Sequence, residues 1–170
     1  YLNLQNNFKE YKNSIFSFIF DLSDFIYSYF NLDYITLDYQ SFLNSIDLLS
    51  DEYQAYAYIY IAQYLTKQEN FDNVLPFFEQ AKIKSTYSIQ ATAFLSYFLS
   101  SFYLKTNDYI NSLKEIEKSA NLFLELQNYN RLINLNIKKG NQLRYIHLYQ
   151  KALDNDLSTL SKINDYPHLN

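Results

Sequence analysis

The chain has no cysteine, methionine or tryptophan, and only one glycine and two prolines among its 170 residues. Without cysteine it has no disulfide, thiolate nucleophile or zinc–thiolate centre. A shortage of glycine and proline leaves few tight turns, which argues against a β-sandwich or barrel and favours long helices with short connections. We therefore expect an all-α protein.

Charge and catalytic groups are also sparse. The formal net charge is −4 and the isoelectric point is near 5.1, so we expect no direct binding of nucleic acid by this segment. The two histidines, His147 and His168, have no ligand partner at helical spacing, so we predict no metal site. Because no phosphate loop, carboxylate pair or nucleophile motif occurs, we predict no catalytic residue and no cofactor, and expect that the chain is not an enzyme.

The apolar stretches are too short or too interrupted to span a bilayer. Asp21 and Asp24 interrupt residues 15–30, and residues 55–65 are too few. No basic and then apolar segment marks export. We expect a cytoplasmic protein with no membrane partner. Because the chain begins at Tyr1 and lacks methionine, we also expect sequence upstream of it.

Helical periodicity is clearest between Ile89 and Leu126, where two apolar stripes flank a turn at residues 105–109. Ser100, Ser112 and Ser119 fall between bulky neighbours, where small side chains let helix axes approach closely. This pattern predicts an antiparallel helical hairpin. Its two stripes are Leu95, Leu99, Phe102 and Tyr103, and then Leu113, Ile116, Ala120, Phe123 and Leu124.

The hairpin pattern recurs along the chain. An aromatic residue opens each predicted second helix, at Tyr34, Phe71, Tyr109 and Tyr149, with separations of 37, 38 and 40 residues. Small or compact residues stand nine positions before three of these aromatics and three positions after the same three: Ala62, Ser100 and Gly140, and then Val74, Ser112 and Ala152. We predict a lead-in or linker helix over residues 1–12 and a repeat domain over 13–170, with repeats at about 13–49, 51–84, 88–126 and 128–163.

The pattern resembles the tetratricopeptide repeat. The second repeat matches at Tyr58, Ile61, Ala62 and Leu65, the third at Leu99, Ser100 and Tyr103, and the fourth at Gly140, Leu143 and Ala152. The resemblance implies a right-handed superhelical array of antiparallel helix pairs. The chain departs from the family because its period exceeds 34 residues and no proline closes a second helix.

Residues 126–160 are similar to the carboxy-terminal repeats of Gram-positive peptide-pheromone regulators, the Rgg, PlcR and Rap-like group. The similarity lies in Asn134, Gly140 and Asn141 and in the Tyr-x-Lys-Ala-Leu sequence at 149–153. It implies the ligand-sensing domain of a transcription regulator that binds a short signalling peptide on its concave face. The alternative is a freestanding scaffold that binds a protein segment. A homodimer is a further hypothesis for the assembly of the chain.

In such an array the residues beside the packing stripe of each first helix face the groove. Amides at Asn134 and Asn141 would hold successive peptide groups of an extended ligand, and Arg144 or Lys105 would hold a carboxylate. The alternative is that these amides only solvate the surface. The predicted peptide-binding residues are Gln63, Lys67, Tyr97, Ser101, Lys105, Asn134, Asn141 and Arg144.

Overall fold

The computed structural model describes Tyr39, Leu43, Asn44 and residues 46–165. All regular structure in this part is helical and none is strand, which confirms the all-α prediction for these residues. The chain divides into two compact units between Lys84 and Ser85. The predicted lead-in helix and the Tyr34 anchor of the first repeat lie outside the described residues.

The first unit contains one helical hairpin. A 3-10 turn at Ile46–Leu48 precedes helix α1, Asp51–Lys67, and a second 3-10 turn at Phe71–Asn73 leads into helix α2, Leu75–Lys84. Lys84 Nζ donates to Asp51 Oδ1 at 2.9 Å, so the end of α2 lies beside the start of α1 and the two helices are antiparallel. The aliphatic and aromatic side chains at the heart of this unit are fully or almost fully buried: Ala55, Ile59, Ile61, Ala62, Val74, Phe78 and Ala81.

Helix α2 begins later than the sequence predicts. The pattern predicts a single helix from Asn70 to Lys84, but the structure has a 3-10 turn first and α2 starts only at Leu75. Pro76 explains the difference. Its ring would clash with the carbonyl group of Asp72 in a continuous α-helix, and it has no N–H to donate. In the first turn of α2 that missing donor costs nothing, because N–H groups there lack an intrahelical partner.

The second unit is built from four helices of equal length. They are α3, Ile89–Lys105; α4, Tyr109–Glu125; α5, Tyr129–Tyr145; and α6, Tyr149–Asp165, each of 17 residues. Three residues join each helix to the next, so a helix begins every 20 residues and a hairpin every 40. Helices α3 and α4 form one hairpin, α5 and α6 form another, and α4 packs against α5.

Serine side chains lie where α3 and α4 approach most closely. Ser112 Oγ donates to the carbonyl oxygen of Ser100, and Ser119 Oγ donates to that of Ala93 at 2.8 Å. The donor that lies later in α4, Ser119, bonds to the acceptor that lies earlier in α3, Ala93, so the two helices are antiparallel. All three serines are fully buried, in agreement with their predicted place at the helix contact.

The buried line of α4 is rotated from the predicted stripe. It runs through Ser112, Ile116, Ser119 and Phe123, all fully buried. Leu124, predicted to be in the stripe, is 51% exposed, so that part of the prediction is wrong. The small serines bring α3 close along this line, which leaves no room there for the leucine next to Phe123.

Four helices end in the same motif without a glycine. Glu69, Asn107, Gln127 and His147 each adopt a positive φ of 54° to 63°. The amide of the following residue then donates to a carbonyl five residues back, which is the Schellman arrangement of a helix end. These bonds are Asn70 N to Leu65 O, Asp108 N to Tyr103 O, Asn128 N to Phe123 O, and Leu148 N to Leu143 O, at 2.8 to 3.0 Å.

The same short connections also start the next helix. The Asp108 carboxylate accepts from the backbone N–H of Asn111 at 3.1 Å, and the Asn128 amide oxygen accepts from that of Arg131 at 3.2 Å. Both bonds satisfy a backbone donor that the first turn of a helix leaves free. One residue in the left-handed region and one capping residue are therefore enough to reverse the chain within three positions.

We expect Gln127→Gly to stabilise the protein by up to about 1 kcal/mol. Gln127 has φ of 54°, a conformation that costs an L-residue roughly 1–2 kcal/mol and glycine almost nothing, less the extra entropy of glycine in the unfolded chain. Urea unfolding would measure the gain. Asn107→Gly, where asparagine already tolerates this conformation, should gain less. A destabilised Gln127→Gly protein would contradict this account of the helix end.

Candidate ligand-binding site

Acidic residues are absent from the first helix of each hairpin in the second unit. Helices α3 and α5 contain no aspartate or glutamate, and α4 and α6 each contain three. The cations of α3 and α5 are Lys105, Arg131, Lys138, Lys139 and Arg144. Within an acidic chain, these two helices therefore carry only basic charge, one cation on α3 and four on α5.

Side chains of α3 and α5 meet in a cluster of rings and cations. The Arg131 guanidinium lies 5.1 Å from the centre of the Phe94 ring and 5.9 Å from that of Tyr97, and Lys138 Nζ lies 4.7 Å from the centre of the Tyr97 ring. Residues later in α3 contact residues later in α5: Phe94 contacts Arg131, and Ser101 contacts Lys138. The two helices therefore run side by side in the same direction. We name as the α3/α5 face the residues Phe94, Tyr97, Ser101, Arg131, Asn134 and Lys138.

Lys138 is held by three oxygen acceptors. Its ammonium donates to Ser101 Oγ at 2.6 Å, to Ser100 Oγ at 2.7 Å and to the carbonyl oxygen of Tyr97 at 3.3 Å. All three N–H donors are therefore used, but every acceptor is neutral. Burial lowers the pKa of Lys138 from 10.5 to about 8, because a charged amine is less stable away from water.

The charges of Arg131 and Lys138 are not balanced by an acidic side chain in the part of the chain that the structure describes. The neighbouring cations differ from them. Lys139 Nζ donates to Glu117 Oε1 at 2.8 Å, and Arg144 donates to Asp156. The α3/α5 face thus keeps two positive charges while the cations outside it that belong to α5 are paired.

Each ring of the α3/α5 face, Phe94 and Tyr97, also contacts another aromatic side chain. Phe94 meets the fully buried Phe123 edge to face, with ring centres 5.4 Å apart, and Tyr97 meets Phe98 in the same way at 5.1 Å. Such contacts restrict the orientation of a ring. The cations therefore rest on aromatic surfaces that are held in place before any ligand arrives.

A buried polar chain anchors α5 one turn beyond Lys138. Gln142, only 2% exposed, donates through Nε2 to Ser112 Oγ at 2.8 Å, and Ser112 in turn donates to the carbonyl oxygen of Ser100. Three helices, α3, α4 and α5, thus share one hydrogen-bonded path. Ser100 also accepts from Lys138 through its Oγ atom, so the path and the Lys138 amine meet at the same residue of α3.

The structure brings three of the eight predicted site residues into the α3/α5 face: Tyr97, Ser101 and Asn134. Tyr97 and Ser101 contact Lys138 directly. Asn134 is exposed and lies one turn from both Arg131 and Lys138, so its spacing places it on the same side of α5. An exposed amide between two cations has both a donor and an acceptor to offer a peptide group.

The other five predicted residues are not in this cluster of contacts, although helical spacing places Lys105 on the side of α3 that holds Ser101 and Asn141 on the side of α5 that holds Lys138. Arg144 donates to Asn141 Oδ1 at 2.7 Å and to Asp156 of α6, and the bond from this guanidinium lowers the pKa of the Asp156 carboxyl group. These side chains join α5 to its own hairpin partner. Lys105 is exposed at the last position of α3. Two residues belong to the first unit: Gln63, expected on an open surface, is only 4% exposed, and Lys67 is exposed at the end of α1.

Sequence reasoning missed Arg131 and Lys138. One signal was present, since the sequences of α3 and α5 contain cations and no acidic residue. What sequence does not contain is the identity of the residue across from each cation, because that depends on how neighbouring helices are rotated.

Comparisons with known proteins give no further guide to the site. No family model, no curated protein and no solved structure matches the sequence. Among residues that the structure describes, no group of three or more histidine, aspartate or glutamate side chains is arranged to hold a metal ion. None of the described helices has both the length and the apolar character that a membrane span requires.

We expect the stability of the protein to rise with pH near pH 8 to 10 through Lys138. Its pKa is about 8 when folded and near 10.5 when unfolded, and burial is the only cause of the shift, with no contribution from a charged neighbour. Between these values the unfolded chain binds more protons, so the free energy of unfolding increases with pH. The increase should be on the order of 1 kcal/mol.

Comparison with Lys138→Met isolates this contribution from the many tyrosines that ionise in the same range. The difference in unfolding free energy between the parent protein and Lys138→Met, measured in urea from pH 7 to pH 10, should grow in favour of the parent. Lys162→Met, at an exposed position of α6, is the matched control and should give a flat difference. A flat difference for Lys138→Met as well would mean that this amine is not buried.

Proposed function

We propose that the chain is a peptide-binding module whose ligand lies along the α3/α5 face. The observation that carries this proposal is the combination of fixed aromatic rings, an exposed amide and two unbalanced cations on two adjacent, parallel helices. The rings of Phe94 and Tyr97 offer apolar contact, and Asn134 offers both hydrogen-bonding partners of a peptide group. A short extended segment of protein uses all of these features at once.

We further propose that the helix pairs form a tetratricopeptide-like, right-handed superhelical array. The 40-residue hairpin spacing and the side-by-side course of α3 and α5 support this proposal, because they are what stacked hairpins require. On the resemblance of residues 126–160, the module would be the ligand-sensing domain of a peptide-responsive transcription regulator acting in the cytoplasm.

The second candidate function is a freestanding scaffold for a protein partner or a second copy of the chain. An apolar stripe on α6 favours it: Tyr149, Leu153, Leu157 and Leu160 are 51% to 61% exposed. Leucines repeated at helical spacing on an open surface are typical of a helix that meets another protein. A partner bound there would not need the α3/α5 face.

The test is binding of a library of short random peptides, followed by variants of the α3/α5 face. Peptides selected on the full chain should lose about tenfold or more in affinity with Asn134→Ala or Tyr97→Ala. Asn121→Ala, at an exposed position of α4, is the matched control and should change nothing. If selected peptides bind all variants equally but are lost with Leu157→Asn, the scaffold proposal replaces the peptide-face proposal.

A further inference from the structure

The N–H groups of the Arg131 guanidinium are not used in hydrogen bonds among the described residues. Within the described part of the chain its contacts are the faces of Phe94 and Tyr97, and its side chain donates no hydrogen bond. An arginine has five N–H donors in a rigid fork whose geometry matches a carboxylate. Stacking on two rings fixes the plane of that fork and leaves its edge available to a ligand.

Lys138 offers charge rather than hydrogen bonds. Its three donors are already used by Ser100, Ser101 and the Tyr97 carbonyl group, all of them neutral. A partly buried ammonium without a counter-ion is destabilising, and an anion bound nearby would relieve that cost. The same Tyr97 ring carries both cations, at 4.7 Å and 5.9 Å from its centre, so one anion is within the field of both.

A purely structural role for Arg131 and Lys138 explains their contacts but not their unbalanced charge. A tether between α5 and α3 needs the hydrogen bonds of Lys138, but it does not need an unbalanced charge. The other two cations of α5, Lys139 and Arg144, form ion pairs with acidic residues of α4 and α6. Of the four cations of α5, Arg131 and Lys138 are the two without an acidic partner among the described residues, and both lie on the α3/α5 face.

We propose that the α3/α5 face recognises a carboxylate of its peptide ligand, with Arg131 forming the bidentate contact and Lys138 adding a second positive charge. This inference rests on the proposed peptide-binding function and names the chemistry of its ligand. The carboxylate belongs to the peptide carboxy terminus or to an aspartate or glutamate side chain, beside an apolar residue that packs on Phe94. The charge of the surface and the adjoining rings together favour an acidic peptide with an apolar residue.

The experiment measures the affinity of the full chain, by fluorescence anisotropy, for four forms of each peptide selected from the library. The carboxy terminus of each peptide is either free or amidated. In each case the aspartates and glutamates of the peptide are either kept or replaced by asparagine and glutamine, which gives four forms. The form without any carboxylate should bind about tenfold or more weakly than the parent peptide. The single changes show which carboxylate is bound, since only the one in contact with Arg131 matters.

The protein variants complete the test. Arg131→Gln and Lys138→Gln should remove most of the preference for the acidic form over the neutral form of the same peptide. Lys118→Gln, which makes the same charge change at an exposed position of α4, should keep the preference. Arg131→Gln is the decisive variant because its side chain makes no described hydrogen bond whose loss would unfold the protein, and circular dichroism verifies the fold of each variant.

The outcomes separate the two proposals. If Asn134→Ala weakens binding but acidic and neutral peptides bind alike, the carboxylate inference is overturned and the peptide-binding function stands. If no peptide of any form binds, both proposals fail together.

Discussion

Replacing Phe123 with alanine is expected to lower the free energy of unfolding by about 4 kcal/mol. The Phe123 ring is fully buried, packs with Ala93, Ile116 and Leu135, and meets Phe94 edge to face. Since these neighbours come from α3, α4 and α5, the cavity would open where three helices meet. Truncation there loses the transfer free energy of the ring and leaves a void that packed helices fill only in part.

The adjacent residue provides the control. Leu124 is 51% exposed, so Leu124→Ala should cost less than about 1 kcal/mol. Urea unfolding at one pH measures both variants. Equal losses would place Leu124 in the core, as the stripe in the sequence predicts, and would contradict the helix rotation seen in the structure. If the proposed peptide-binding function holds, Phe123→Ala should also weaken that binding, because Phe94 loses the contact that fixes its ring under Arg131.

The second large effect is expected for Gly140→Leu, which should destabilise the protein by about 3 kcal/mol. Gly140 is buried in α5 against α6. A Cβ atom at this position would overlap the Asp156 carboxylate and lie 3.2 Å from Asn155 Nδ2. The branched leucine side chain would push α6 away and break the ion pair between Asp156 and Arg144. The glycine is thus required by the close approach of the two helices.

Two milder variants test this explanation. In Gly140→Ala the single Cβ meets mainly the end of the Asp156 side chain, which can turn aside, and the gain of roughly 1 kcal/mol in helix propensity offsets the loss. Asn141→Ala, at an exposed position, should change stability little. Thermal unfolding should therefore rank Gly140→Leu far below the other two. Equal shifts for Gly140→Leu and Asn141→Ala would show that α6 does not pack on Gly140.

Local features of the sequence predicted much of the helical structure. The cap of α4 at Asp108 and the serine contacts between α3 and α4 follow from side chains that act within one turn or require little space. The late start of α2 was also implicit in Pro76. The left-handed residue Gln127 carried no such signal, because a connection of only three residues forces that conformation on whichever residue stands there.

Composition and periodicity by themselves determined that the described chain is helical and that small residues lie at helix contacts. These properties depend on residue type and on spacing along one helix. Only the tertiary structure decided that Phe123 is buried while Leu124 is exposed, since neighbours on a helix point about 100° apart. Only the tertiary structure pairs Arg144 with Asp156 and leaves Arg131 on two aromatic rings. Whether a cation forms an ion pair depends on the residue that lies opposite it on the next helix, and the packing of the helices determines which residue that is.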